Sequence, residues 1–432
     1  MDQNLPRLYK DYGQYSNYRN FPLDIDGLKP VERRVLLSAY KIARDKLVKC
    51  RQVDAYTIGH YHPHGECYGT IVQLVRQGFL VGQGNFGTNV GVEPVGPAAP
   101  RYTECRIHPR TLEMAFKYVK HVPWVDSELG DTEPIYLPTM FPICLMGREY
   151  TQGIGFGYKT FIPCYELNDL YQRLLWLLGI RKRKPIIAPI TDCSIIADND
   201  TLDKLLTTGK AKIEVAGIID INKRLNTVAL KSWPPGKRFQ TFLNQFDKEL
   251  SDGMIGFTDL SVSETNIVFQ VIRERNRDRI FDNFIERLVE ANKGFISFET
   301  IVVDENRKVL TKSIDQMLLD TFSVFSKANE QMLNYEVEKI DSSIIEYTAL
   351  IKIRPIIASG ISAKMEADKI LDEIEKKTDV SKEVAQGLMN KYKINKLLTI
   401  DVDTSELNDN KTELLKHLAD LNNYVLEQYS GF

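Results

Sequence analysis

The chain has 432 residues, 43% of them hydrophobic, with 56 Lys and Arg set against 58 Asp and Glu for a formal net charge of -2. That length exceeds one ordinary core and predicts about two to four domains, while the near-balanced charge excludes a generally basic protein and confines any nucleic-acid surface to a local patch. The six cysteines are widely spaced without a CxxC pair, no apolar run reaches the roughly 20 residues that span a bilayer, and the N-terminus, with Asp2, Arg7, Lys10 and Asp11, has no signal-peptide core. Reduced thiols and a soluble cytoplasmic protein without membrane contact are expected.

In chain order, Lys29-Pro30 predicts a helix start, because proline suits a first helical turn, and the helix runs through Arg33, Arg34, Leu37 and Tyr40. Pro63 and Gly65 interrupt the periodicity and residues 70–75 resume it, so short helices joined by tight turns suit a helix-turn-helix type DNA module. Residues 79–100 are dense in Gly and Pro and predict a long irregular loop. From Tyr150 onward, strand-like runs at 212–219, 227–233 and 266–271 mix with a helical one at 167–178, an α+β signature. After Lys308, Ile314, Leu318, Phe322 and Phe325, then Leu333, Val337, Ile340, Ile344 and Tyr347, recur at three-to-four spacing without Gly or Pro and predict a long amphipathic helix. A second stripe, Leu414, Leu418, Leu421 and Val425, leaves two arrangements open: an antiparallel coiled coil with a globular tip, or two core helices of an ordinary bundle.

Four motifs bear on chemistry. Gly82-Gln83-Gly84-Asn85-Phe86-Gly87 fits GxGxxG, but the residues after it, Thr88 to Pro94, do not carry the helix that a dinucleotide site requires. His60, His62 and His64 alternate and would share one face of an extended segment, which leaves metal binding, structural hydrogen bonding, and phosphate contact or proton transfer open. Lys29, Arg33 and Arg34 form either a solvated helix face or a phosphate-binding one. Arg101-Tyr102 pairs a phenol with a cation: tyrosine, with an ordinary pKa of about 10, needs such a neighbour to act as a nucleophile and to stabilise a pentacovalent phosphate.

The strings Tyr15-Ser16-Asn17-Tyr18-Arg19, Asp26 to Arg34, Tyr61 to Gly65, Gly82 to Gly87 and Arg101 to Glu104 stand in the order and approximate spacing of the breakage-reunion subunit of type IIA DNA topoisomerases. The chain resembles the family formed by the A subunit of gyrase and the C subunit of topoisomerase IV. The resemblance implies an α+β multidomain fold: a winged-helix DNA-gate domain (1–148), a tower domain (149–310), and a long antiparallel coiled coil with a helical dimer gate (311–432). It implies Tyr102 as nucleophile with Arg101, Arg19, His62 and His64 around the cleaved strand, and Lys29, Arg33, Arg34 and Ile154 on the DNA. Ile154 matches a wedge between base pairs, an apolar intercalation with its own physical sense. Residues 384–398 resemble the helix and turn before the return arm.

Three departures from the family pattern stand out: a segment after Gly65 that reads two residues short, Glu32 where histidine is common, and Pro100 before the Arg-Tyr pair. The end at Phe432 suggests a short form without the C-terminal pinwheel, as in split phage topoisomerases, and hence relaxation or decatenation instead of negative supercoiling. No Walker A string or DxD cluster is evident, so Mg2+ and ATP are expected on an ATPase/toprim (gyrase B-like) partner, with a homodimer of this chain inside a heterotetramer acting on double-stranded DNA. The alternative is a non-catalytic winged-helix protein that bends DNA.

Overall fold

The structure is a computed structural model that describes residues 5–92, 95–272, 276–362, 364–392, 398 and 404–429. The described residues fall into two compact units, dividing between Phe325 and Ser326. Among them, no helix is long and apolar enough to cross a membrane.

Near the N-terminus, α1 (Leu5–Asn20) precedes α2 (Pro30–Ile42), α3 (Cys50–His60) and α4 (Tyr68–Arg76). Pro30 stands at the start of α2, and the Glu32 carboxylate accepts the Lys29 backbone N–H at 2.9 Å, which satisfies one donor the helix itself leaves free. The residue that departs from the family pattern is thus a cap. Leu36 and Leu37 of α2, Val53 of α3, and Ile71 and Leu74 of α4 bury their side chains in one core with Leu80, Cys105 and Ile107. The last three belong to a small antiparallel sheet of β1 (Val48–Lys49), β2 (Leu80–Gln83) and β3 (Glu104–Ile107), in the order β1-β3-β2. The Gly-rich segment expected to be wholly irregular therefore opens with a strand, because Leu80 is held against Ile107 and Gln83 against Glu104 by ladder pairing that a single-strand reading does not detect. No helix follows it: Gly84, Gly87 and Gly91 have φ of 112°, 74° and 90°, which only glycine adopts readily.

A hairpin of β4 (Trp124–Asp126) and β5 (Thr132–Pro134) follows. Next comes a second hairpin, β6 (Thr151–Ile154) and β7 (Lys159–Ile162). Its strands extend into a five-stranded sheet with strands 194–196, 210–216 and 293–299, packed against the helix Asn199–Thr208. A separate four-stranded antiparallel sheet (219–222, 227–230, 255–259, 267–271) is covered by Phe281, Phe284 and Leu288 of the helix Arg277–Ala291. The strand expected at 212–219 ends at Ala216, and Ile219 begins the next one in the other sheet.

The long helix runs Ile314–Ser362 and continues through Pro355, past the Gly- and Pro-free stretch that predicts it. Leu350, Ile353 and Ile357 are fully buried on both sides of the proline, so packing carries the helix across the missing hydrogen bond. In the second unit, Lys411 donates to Asp341 at 2.5 Å and Gln428 to Asn329 at 2.7 Å, so the returning helices Ser405–Ala419 and Leu421–Tyr429 run antiparallel to the long one. The helix Lys382–Lys391 overlaps the expected 384–398 segment, most of whose remainder falls outside the described residues.

Candidate active site

Two groups of side chains make up the site. The first is the turn before β3. The Tyr102 N–H donates to Ala99 O at 2.9 Å, and Arg51 and Cys50 at the start of α3 donate to Pro100 O at 3.2 Å and Thr103 O at 3.0 Å. Tyr68 of α4 donates to Ala98 O at 2.5 Å. Helix backbone and a buried threonine therefore fix the turn, while Tyr102 stands 64% exposed at its apex. The Arg101 guanidinium lies 4.6 Å from the Tyr102 ring centroid, the cationic neighbour that the phenol requires.

The second group gathers on α1, α2, the 61–65 turn and the β4–β5 hairpin. Arg34 makes two hydrogen bonds of 2.8 Å to Glu133 and one of 3.4 Å to Glu128. Its third nitrogen lies 3.3 Å from His62 Nδ1. Because guanidinium only donates, His62 Nδ1 must accept, so the ring is neutral and carries its proton on Nε2. Burial, then the charges of Arg34, His64 and Arg19, push this imidazole down to about 4. In this arrangement His62 offers an N–H to a ligand and no free base.

His64 Nε2 lies 2.5 Å from the Tyr15 hydroxyl and 3.3 Å from Glu128 Oε2, and its ring centroid is 5.1 Å from that of His62. Arg19, one turn after Tyr15 on α1, is exposed with its guanidinium 5.7 Å from the Tyr15 ring. Among the described residues no hydrogen bond joins Tyr102 to either histidine, so one chain holds the two groups as separate half-sites.

A neutral His62 carries a pH consequence. Its folded value of about 4 lies below the ordinary 6.5, so between these values the unfolded chain binds more protons at this site. Stability contributed here rises with pH through that window and is lost as pH falls through it. A ring NMR titration is expected to place the His62 midpoint near 4; a midpoint near 6.5 would contradict the burial argument.

Several expected roles change. Arg33 is buried, with Nε and Nη2 on the fully buried Asp26 at 2.6 and 2.9 Å and a further bond to Leu28 O. It is a structural ion pair and not a DNA contact, because both its charge and its donors are consumed inside the core. Arg34 is likewise almost wholly covered by Glu133 and orients His62 instead of presenting its own charge to solvent. His60 does not share a face with the other histidines. It ends α3, stacks on Tyr56 at 4.0 Å and pairs with Asp131 at 2.8 Å, because the chain is helical there and not extended. Lys29 reaches across to Gln152 O at 2.6 Å, beside the hairpin whose tip carries Ile154, 74% exposed. Sequence reasoning gave no role to Tyr15, Glu128 and Glu133, since their partners lie 49 to 99 residues away in the chain.

The fold is of mixed α/β class, with an exposed tyrosine beside a guanidinium in one group and a neutral imidazole oriented by a covered arginine in the other. Residues 19–429 match the family model for the A subunit of DNA gyrase/topoisomerase IV, and the chain belongs to that family. It is 26% identical to the DNA gyrase A subunit of Mycolicibacterium smegmatis over 95% of this chain and 52% of that protein. The figures for the DNA gyrase A subunit of Mycobacterium tuberculosis are 26%, 95% and 54%, and for that of Thermotoga maritima 21%, 92% and 52%. The chain spans about half the length of the relatives it matches.

Proposed function

We propose that this chain is the DNA-cleaving and religating subunit of an ATP-dependent type IIA topoisomerase. The observation that carries the reading is the exposed Tyr102 under the Arg101 guanidinium, on a rigid turn, in a chain of this family. In the reaction, Tyr102 Oη attacks a backbone phosphorus, the bond from phosphorus to the 3′ oxygen breaks, and the phenolic proton is lost as the 3′ oxygen gains one. The number of phosphate ester bonds is unchanged, so resealing is the same step reversed. Arg101 stabilises the charge that develops on the phosphate. The Nε2–H of His62 and the exposed Arg19 are free to hold the neighbouring backbone.

In this reading α2 to α4 with the β1-β3-β2 sheet form the winged-helix gate, the two larger sheets form the tower, and the antiparallel helices after Ser326 form the coiled coil and dimer gate. Among the described residues no group of three His, Cys, Asp or Glu side chains is arranged to hold a metal. Mg2+ and ATP are assigned to an ATPase/toprim partner, with two copies of this chain in a heterotetramer that relaxes or decatenates duplex DNA. A homodimer also supplies a second set of half-sites, which suits their separation within one chain.

The test is reconstitution with that partner and Mg2+, followed by denaturant trapping and mass spectrometry of the adduct. A 5′-phosphotyrosine at Tyr102 is the expected result; DNA bound and bent without any adduct would favour the non-catalytic alternative. Ile154 supplies a second, independent measurement. Ile154→Ala is expected to reduce bending, read by energy transfer between labelled duplex ends, and cleavage with it, while affinity changes little because phosphate contacts supply most non-specific binding. Unchanged bending would remove the wedge assignment.

A further inference from the structure

Helix α1 is held between two functional elements. On one side, Asn17, only 5% exposed, grips the backbone of Phe156 in the β6–β7 hairpin: Phe156 N–H donates to Asn17 Oδ1 at 2.6 Å, and Asn17 Nδ2 donates to Phe156 O at 3.3 Å. Gly13, one turn earlier, lies against the same residue, since a Cβ there would meet Phe156 Cδ1 at 2.9 Å. Gly155 is equally tight, because a Cβ on it would run into Asn17 Oδ1 and come within 2.7 Å of Phe21. The Phe156 ring makes edge contacts with Tyr9 and Tyr12, at centroid distances of 4.9 and 6.4 Å. On the other side of the helix, Tyr15 holds His64 at 2.5 Å. At about 100° per residue, Tyr15 lies roughly 200° around the helix from both Gly13 and Asn17, so the two grips are nearly opposite.

Little else fixes the first half of this helix. Leu8, Tyr9 and Tyr12 are 59%, 60% and 63% exposed, whereas from Gly13 onward the helix has buried positions at Gly13 and Asn17 and Tyr18 packs beside the fully buried Phe21. A shift of the hairpin tip, where Ile154 stands, therefore has a direct route to Tyr15 through the one helix that carries both grips. We propose that Asn17 is a positioning residue through which the seating of the β6–β7 hairpin on duplex DNA sets the Tyr15–His64 hydrogen bond. It couples the geometry of the histidine half-site to the position of the wedge. The proposal rests on the reading of this chain as a DNA-cleaving subunit, and of Ile154 as its wedge.

The test has two arms. In the first, the full chain is labelled at histidine Cε1, which gives a readable spectrum because it has only six histidines, with His64 assigned by His64→Gln. Adding a duplex is expected to shift the His64 signal in the parent, and the shift is expected to be lost in Asn17→Ala and in Ile154→Ala. In the second, the complex with the ATPase/toprim partner and Mg2+ is assayed for bending and cleavage. Asn17→Ala is expected to bend DNA like the parent yet cleave on the order of 10- to 100-fold less, the usual effect of slight misplacement of a catalytic group. Asn17→Asp, which retains the acceptor for the Phe156 amide, is expected to recover most of that loss.

A His64 signal that ignores DNA in the parent, or that still responds in Asn17→Ala, overturns the proposal. So does a cleavage loss in Asn17→Ala that tracks a fall in thermal stability and is not recovered by Asn17→Asp, because that marks a merely structural role. If the parent forms no adduct at all, the enzymatic reading fails while the His64 arm still decides the coupling.

Discussion

Tyr102→Phe is expected to eliminate covalent protein–DNA adducts in the reconstituted enzyme, a loss of several orders of magnitude, while duplex binding and its salt dependence remain those of the parent. The separation of effects follows from the geometry. The side chain is 64% exposed, and the turn beneath it is held by backbone bonds to Ala99, Arg51 and Cys50 and by Tyr68, none of which uses the Tyr102 hydroxyl. Removal of the hydroxyl is therefore expected to change stability by no more than about 0.5 kcal/mol, as for other surface substitutions. The measurement is a denaturing gel with end-labelled duplex, beside a binding titration over a salt series. Adducts that persist in the Phe variant would assign the nucleophile to another residue.

Asp26→Ala is expected to give the largest loss of stability. Asp26 is fully buried, takes two bonds from Arg33, and also accepts the backbone N–H groups of Leu28 and Leu137 at 3.0 and 2.9 Å. Its removal strands a buried guanidinium as well as two amides, and breaking such a pair costs about 3–5 kcal/mol. Denaturant unfolding followed by tryptophan fluorescence should read the loss, with Arg33→Met falling less far because the buried carboxylate it leaves keeps the Leu28 and Leu137 N–H groups. Equal stability of Asp26→Ala and the parent would mean that the carboxylate is not the centre of this core. DNA binding by a folded Arg33→Met variant is expected to match the parent, which is how a structural arginine differs from a phosphate contact.

The start of α2 at Lys29-Pro30, the resumption of helix after Gly65, the strands near 212, 227 and 266 and the long helix from Ile314 all follow from local pattern, because proline position and apolar period act within a few residues. The same locality explains the errors. Leu80 became a strand only because Ile107 lies beside it, and the helix passed Pro355 only because Ile353 and Ile357 are buried around it.

The site divides along the same line. The family and the Arg101-Tyr102 pair are legible in the residues themselves, since the pair's chemistry depends on immediate neighbours. Which cations are available emerged from the folded chain alone: Arg33 and Arg34 are adjacent arginines on one helix, yet one is sealed against Asp26 and the other is held by Glu133 to orient a neutral His62. The physical reason is that a charge's role is set by burial and by partners distant in the chain, neither of which is encoded in the spacing of the residues that carry it.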